Sequence, residues 1–328
     1  MRIAYFGAGA FGLPTLEWLF AGGEHELAGV VTQPDRPAGR GQTLTPSPVG
    51  AWMAKHRPET PVLKIERVNE PGATAEIRSL FGPGGAHRVD AWLVIAFGQK
   101  LSKELLAGVT AMNLHASLLP RWRGAAPINA AVLAGDGETG NTVITLAERM
   151  DAGLMLGQSR RAIEPGQTAG ELHDLLALDG PGLVRDVLAA VAERGVAGVG
   201  KPQDEALATR AGKFSKADGW VDLGEGAEAC RRRVHGLTPW PGVTVRLRGE
   251  GLKLLRTAVV PGAGGGAAAG VLVDAPGGVV ACGGGDGLRM LEVQPSGGRA
   301  MSWAEFARGR RVQAGERIEG GRDERERG

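Results

Sequence analysis

The sequence predicts an α/β protein of two domains, an open sheet of buried strands alternating with helices followed by a small barrel of short strands. Three observations carry this. The chain has 328 residues, more than one typical core accommodates. Apolar runs over residues 2–6, 27–32 and 89–96 alternate with helical patterns, as strand–helix–strand units do. Beyond residue 210 the runs become short and closely spaced, as in a barrel that closes its own edges.

The totals exclude several classes. The apolar fraction of 43% is that of a globular chain, and the 54 glycines follow no strict period, unlike those of collagen. No apolar run approaches the ~20 residues that span a bilayer, and the first strand starts at Arg2 with no apolar leader before it. A cytoplasmic protein with no membrane span is expected. Cys230 and Cys282 are the only cysteines and have no histidine cluster at ligand spacing, so two free thiols and no metal are expected. Before residue 200 there are 18 basic and 20 acidic residues, and after it 20 and 16, giving halves of −2 and +4. The later half either faces an anionic partner such as nucleic acid or carries a solvated basic surface.

In chain order, the strand at 2–6 runs into Gly7-Ala-Gly-Ala-Phe-Gly12 and a helix through Leu16, Leu19 and Phe20. In a dinucleotide site an acid would end the second strand to bind the ribose. Here residues 27–32 end in Gln33-Pro34, and a tight strand-to-helix turn explains the same glycines. Residues 34–48 are too rich in Pro and Gly for a regular element. That loop either orders on a nucleic acid through Arg36 and Arg40 or is a mobile insertion. A helix at 49–56 follows, with Trp52 and Met53 inward. Next come the strand at 89–96, a turn at 97–99, a helix at 102–106, a strand ending at His115, a polar loop, a helix at 126–133 and a strand at 140–146. Helical spacing over 169–193 closes the first domain, with a break at Gly180-Pro181-Gly182. These readings place a catalytic domain at 1–195, a connection at 196–210, a second domain at 211–318 and a disordered tail at 319–328.

The chemistry gathers at strand ends. Asn113 and His115 lie two apart on one strand and share a face. Alone, such a pair is more often a core histidine beside a turn than a site. Asp151, on the turn after another strand, adds a carboxylate. No Ser or Cys stands beside the histidine in a nucleophile-elbow pattern, so the set suits direct transfer to a substrate amine. Asn113 would donate to a carbonyl oxygen gaining charge, His115 would stabilise that oxygen or move protons, and Asp151 would fix the ring's orientation.

These residues carry a resemblance over nearly the whole chain. Thr32-Gln-Pro-Asp-Arg-Pro-Ala-Gly-Arg-Gly41, Pro46-Ser-Pro-Val49, Asn113-Leu-His-Ala-Ser-Leu-Leu-Pro-Arg-Trp-Arg-Gly-Ala-Ala-Pro-Ile128, Asp151-Ala-Gly153, Phe214-Ser-Lys216 and Pro239-Trp-Pro241 resemble the methionyl-tRNA formyltransferase family of folate-dependent formyltransferases. The resemblance implies a Rossmann-like formyltransferase domain followed by a small OB-like β-barrel. It implies transfer of a formyl group from 10-formyltetrahydrofolate to the methionine α-amino group of initiator methionyl-tRNA, for translation initiation. Asn113, His115 and Asp151 become the catalytic set. Ser117, Leu118, Leu119 and Pro120 become a folate-contacting loop, and the pterin would follow the turn holding Phe97, Gly98 and Leu101. Arg36 and Arg40 would meet the tRNA acceptor end and Arg231, Arg232 and Arg233 its phosphates, in a monomer without metal. Two positions depart from the family's habit: Leu154 removes a charge beside Asp151, and Lys100 adds one near the expected pterin edge. A formyltransferase for a small amine (nucleotide or aminosugar) is the alternative, and a catalytically silent nucleic-acid-binding protein a third reading.

Overall fold

The computed structural model describes residues 1–23, 25–38 and 41–321. They divide into two compact units. The first comprises Met1–Gly124, Gly140–Arg161 and His173–Arg210; the second comprises Ala125–Thr139, Ala162–Leu172 and the chain from Ala211 onward.

The elements begin with β1 (Arg2–Gly7), α1 (Leu13–Phe20), β2 (Glu26–Thr32), β3 (Arg36–Ala38), β4 (Thr43–Thr45), α2 (Pro48–His56), β5 (Val62–Lys64), α3 (Pro71–Phe81), β6 (Ala91–Ile95), α4 (Lys103–Leu106) and β7 (Ala111–His115). They continue with β8 (Arg123–Gly124), α5 (Pro127–Ala134), β9 (Glu138–Thr145), β10 (Met155–Ala162), α6 (Ala169–Val199) and β11 (Arg210–Ala211). The first unit is organised on a sheet ordered β10-β9-β7-β6-β1-β2-β5. From β5 to β7 the neighbours run parallel, and β9 runs antiparallel to β7. All of β6 is buried, so it reads as a continuous apolar run rather than an alternating one. The chain steps from β1 out to β2 and β5, then returns to β6 on the other side of β1. Such a reversal opens a crevice at the carboxyl ends of the strands.

Aromatic packing holds this sheet to its helices. The Phe6 ring lies 4.6 Å from Trp92 and 5.8 Å, edge-on, from Phe97, and Trp92 Nε1 donates to the Phe81 carbonyl at 2.8 Å. Each such side chain contributes roughly 1.5–3 kcal/mol through burial. The glycines after β1 serve packing as well. A Cβ on Gly12 would stand 1.9 Å from the Tyr5 hydroxyl, and one on Gly7 2.5 Å from the Tyr5 ring. They make room for a buried tyrosine.

Several expectations change. Residues 34–48 contain a regular element after all: β3 and β4 pair antiparallel, Arg36 opposite Thr45. A two-stranded ribbon has only edge strands and so tolerates Pro37, and β4 is exposed throughout, leaving no apolar alternation to announce it. Trp52 is only half-buried, whereas Met53 is buried as expected. Helix α6 runs through Pro181 and breaks at Gly195 instead (φ 67°). Asn141 Nδ2 donates to the Leu176 carbonyl at 2.8 Å, next to the Ala177 carbonyl that Pro181 leaves without its i→i−4 donor. Elements β5, α3 and β10 carry no strong periodicity and went unforeseen. Residues 322–328, within the expected tail, lie outside the described residues.

The second unit contains α7 (Ala227–Gly236), β12 (Val243–Leu247), β13 (Glu250–Val260), β14 (Leu272–Asp274), β15 (Val279–Ala281), β16 (Gly287–Pro295), β17 (Met301–Ser302), α8 (Trp303–Arg310), unforeseen in the sequence, and β18 (Ile318–Glu319). Its antiparallel sheet is ordered β14-β15-β16-β13-β12-β18. The outer strands meet: Leu272 N–H donates to the Glu316 carbonyl and Gly315 N–H to the Leu272 carbonyl, both at 2.8 Å. The result is the expected barrel, nearly closed, which leaves little edge to aggregate. Helix α7 buries Cys230 and Val234 in its core, where Cys230 and Cys282 are neighbouring free thiols. Helix α5 joins this unit too, with Asn129 Nδ2 donating to the Gly236 carbonyl at 2.7 Å.

Two expected outcomes follow from buried polar groups. The Tyr5 hydroxyl is fully buried and has no hydrogen-bond partner among the described residues. Tyr5→Phe should therefore raise unfolding stability by about 1 kcal/mol; a loss of stability in denaturant titration would contradict this. His235 is fully buried and accepts from Thr257 N–H at 3.0 Å. Burial first, then Arg231 and Arg256, hold its pKa down to about 4, with Glu171 and Glu228 opposing. The folded chain thus keeps the ring neutral at a pH where the unfolded chain, with a pKa of about 6.5, takes up a proton. That stabilisation is complete above pH 6.5 and is lost as pH falls towards 4, about 3 kcal/mol in all. His235→Gln should flatten this part of the stability profile, and an equally steep loss in the variant would exclude His235 as its source.

Candidate active site

Asn113 and His115 sit at the carboxyl end of β7. The strand is clamped between β6, where Val94 faces Asn113, and β9, where Thr142 faces His115. Both side chains inherit the rigidity of the sheet. His115 is buried, and its Nε2 lies 2.9 Å from the Trp122 carbonyl. A carbonyl only accepts, so Nε2 carries the proton. The other nitrogen, Nδ1, faces Asp151 Oδ2 at 3.7 Å, beyond hydrogen-bond length. The hydrogen bond on the ring is therefore the one to the Trp122 carbonyl, with the Asp151 carboxylate facing the opposite nitrogen at ion-pair distance. Asn113 is half-buried, and among the described residues its amide has no hydrogen-bond partner.

Asp151 occupies a left-handed backbone position, φ 54°, which costs a non-glycine residue about 1–2 kcal/mol. Its Oδ2 accepts the Gly124 N–H at 2.8 Å, and Gly124 itself has φ 126°. Two residues on, a Cβ at Gly153 would stand 1.8 Å from the Thr145 carbonyl oxygen. The Asp-x-Gly pattern is thus a steric requirement of the turn beside β9. Leu154 continues the turn by exchanging bonds with Thr145 in both directions, each 2.9 Å.

The turn is held from a quarter the sequence did not single out. Gln203, in the stretch read as a plain connection, donates from Nε2 to the carbonyls of Asp151 at 2.7 Å and Gly153 at 2.9 Å. Its Oε1 accepts from Arg123 Nε and Nη2 at 2.9 and 2.8 Å. Arg123, only 8% exposed, also donates to Glu205 at 3.0 and 3.1 Å. Hydrogen bonds from Arg123 and then Arg149 hold the Glu205 carboxyl down to about 2. Thr209 accepts the Trp122 N–H on its hydroxyl and the Arg123 N–H on its carbonyl, both at 2.9 Å. Arg123 is therefore an internal brace, and the Arg121 guanidinium lies over the Trp122 ring at 4.8 Å. No period or motif marks Gln203 or Glu205, so only the folded chain reveals them.

Residues 117–120 are pinned from below. The Ser117 hydroxyl, fully buried, donates to the Arg121 carbonyl at 2.6 Å. Thr142 Oγ1 donates to the Ser117 carbonyl at 2.6 Å and accepts the Leu119 N–H at 3.1 Å, and Gln158 Nε2 donates to the Leu119 carbonyl at 2.9 Å. Leu119 is buried, while Leu118 and Pro120 are half-buried. At the end of β6, Phe97 and Leu101 bury their side chains in the core, leaving backbone to face outward. Ala96 (φ 47°) and Gly98 (φ 78°) are exposed there, Gln33 Nε2 donates to the Phe97 carbonyl at 2.8 Å, and Lys100 is exposed beside them.

The basic residues fall into two groups. Arg36 is exposed on β3, and Arg40 lies outside the described residues. In the second unit, Arg231 pairs with Glu228 at 2.6 Å and Arg232 Nη1 donates to the Ala134 carbonyl at 3.2 Å. Arg233 donates to the carbonyls of Trp220 and Asp218 and packs 4.0 Å from the Trp220 ring. Each guanidinium of this triplet already has a structural partner. Among the described residues no cluster of three His, Cys, Asp or Glu could hold a metal, and no helix is long and apolar enough to cross a membrane.

Comparison with known proteins gives the chain's family and fold. The family model described as formyl transferase matches residues 1–187, and that described as formyl transferase, C-terminal domain, matches 213–311. A methionyl-tRNA formyltransferase of Magnetococcus marinus is 38% identical over 97% of this chain and 98% of its own. One of Heliobacterium modesticaldum is 40% identical over 97% of this chain and all of its own. Among solved structures, WlaRD, a sugar 3N-formyl transferase studied with dTDP and 5-N-formyl-THF, superposes with a TM-score of 0.61 at 11% identity, covering 90% of this chain and 97% of its own. HypX of Aquifex aeolicus in complex with tetrahydrofolic acid superposes with a TM-score of 0.55 at 15% identity, covering 94% of this chain and 47% of its own. With both family models matched in order and relatives aligned from end to end, the chain belongs to the methionyl-tRNA formyltransferase family.

Proposed function

We propose that this protein transfers a formyl group from 10-formyltetrahydrofolate to the α-amino group of methionine on initiator methionyl-tRNA, with Asn113, His115 and Asp151 as the reacting set. The observation that carries the direct-transfer reading is the Ser117 hydroxyl. It is buried and donates to the Arg121 carbonyl, so the hydroxyl nearest His115 in sequence gives its proton to the backbone and not to the histidine, as an activated serine would.

The residues present fit a folate. The exposed backbone at Ala96 and Gly98, at the reversal between β1 and β6, offers main-chain groups to a flat pterin edge. Leu118 and Pro120 offer apolar surface beside it. When bound, the folate supplies a formyl carbon activated for attack. Asn113 donates its unused amide to the formyl oxygen as negative charge builds there. His115, with Nε2 committed to Trp122, would use Nδ1 to take the proton that the amine loses as it bonds to the formyl carbon, and would return it to the folate nitrogen as the bond between that nitrogen and the formyl carbon breaks. Asp151, facing Nδ1, stabilises the resulting positive ring.

The +4 half suits a phosphate-rich partner. Arg36 and Arg40 would reach the acceptor end, and Arg231, Arg232 and Arg233 would add positive potential from braced positions. On this reading residues 1–195 are catalytic, 196–210 the connection and 211–318 the tRNA-binding domain. One copy of the chain holds every residue named, and the cytoplasm, where initiator tRNA is used, is the working compartment.

His115→Ala or Asp151→Asn should lower kcat by roughly 10²–10⁴-fold with little change in either KM; a near-wild-type rate for His115→Ala would sink the catalytic assignment. Affinity for methionyl-tRNA should fall steeply with salt, and Arg36→Ala should flatten the log–log slope by about one. A slope unchanged by the substitution would remove Arg36 from the phosphate contacts.

A further inference from the structure

We propose that Gln203 is a positioning residue for formyl transfer, holding the backbone of the Asp151 turn so that the carboxylate faces His115 Nδ1. The proposal rests on the catalytic reading above. It starts from a cost: Asp151 sits at φ 54°, and nothing in its own side chain offsets that conformation. The Gly124 N–H holds one carboxylate oxygen, but it fixes only the tip of the side chain. The main chain is fixed by Gln203, whose two N–H groups take the carbonyls of Asp151 and Gly153 at 2.7 and 2.9 Å. An amide is the side chain that can donate to both while accepting on its oxygen.

That oxygen is occupied by Arg123, whose other donors reach Glu205. Arg123 is next to Trp122, whose carbonyl orients His115, and to Gly124, whose N–H holds Asp151. One buried guanidinium and one amide therefore tie together the backbone on both sides of the catalytic pair. Removing the amide's donors frees the Asp151 turn while leaving Arg123 a partner, which separates the positioning role from the bracing one.

Gln203→Glu makes that separation, since a carboxylate keeps the acceptor for Arg123 but cannot donate to the two carbonyls. Steady-state formylation of methionyl-tRNA by the full chain should show kcat lowered by about 10²-fold, with KM for both substrates and the thermal midpoint near wild type. Combined with Asp151→Asn, Gln203→Glu should cost nothing further, because both changes remove one unit. Gln203→Met, which adds no charge, should show the same lack of additivity. Wild-type kcat in Gln203→Glu would overturn the proposal, as would losses that multiply in the double variant or that track a fallen thermal midpoint. A wild-type chain that formylates nothing would overturn the functional reading as well, and so is told apart from a failure of the Gln203 assignment alone.

Discussion

The site depends on one short piece of backbone, Trp122 to Gly124, that faces two ways. Its Trp122 carbonyl fixes the His115 ring at Nε2, and its Gly124 N–H fixes the Asp151 carboxylate. Two side chains that do not hydrogen-bond each other are thereby held 3.7 Å apart. Neither can move without the segment moving, and the segment is anchored by Thr209 and by the buried Arg123. A buried guanidinium is costly unless its donors are satisfied. Here Gln203 and Glu205 satisfy it, so the charge that stabilises the loop also obliges the stretch after α6 to stay beside the site.

The sheet supplies the other constraint. Parallel strands buried on both faces fix the carboxyl ends of β1, β6 and β7, and the loops beyond them carry chemistry without carrying stability. The Gly7 and Gly12 positions illustrate the distinction. Their spacing imitates a phosphate-binding motif, yet both lack side chains because Tyr5 fills that space. The Gly153 position is the opposite case, a steric requirement within the site itself.

Much of this was legible in the sequence. Continuous apolar runs placed β1, β2 and β6, and the Asn-x-His spacing put two polar side chains on one strand face. What stayed hidden has physical reasons. In the β3–β4 ribbon Arg36, Pro37 and all of β4 are exposed, so it has no apolar alternation to read. Helix α6 passes Pro181 and breaks at Gly195 instead, although a proline flanked by glycines reads locally as the stronger break. The arginines at 231–233 each meet a carboxylate or a carbonyl of the folded chain, partners that a run of three basic residues does not announce. Gln203 is hidden most completely, since its role lies in two backbone carbonyls fifty residues away, and carbonyls have no sequence signature.

On this reading the backbone-held pair moves a formyl group directly between substrates, with no covalent stop on the protein. In a rapid-quench single turnover with formyl-labelled 10-formyltetrahydrofolate and initiator methionyl-tRNA, label should appear on the methionine amine as fast as the donor is consumed, with none on the protein. Labelled protein forming before labelled methionyl-tRNA, or donor consumed with no label on the amine, would contradict it.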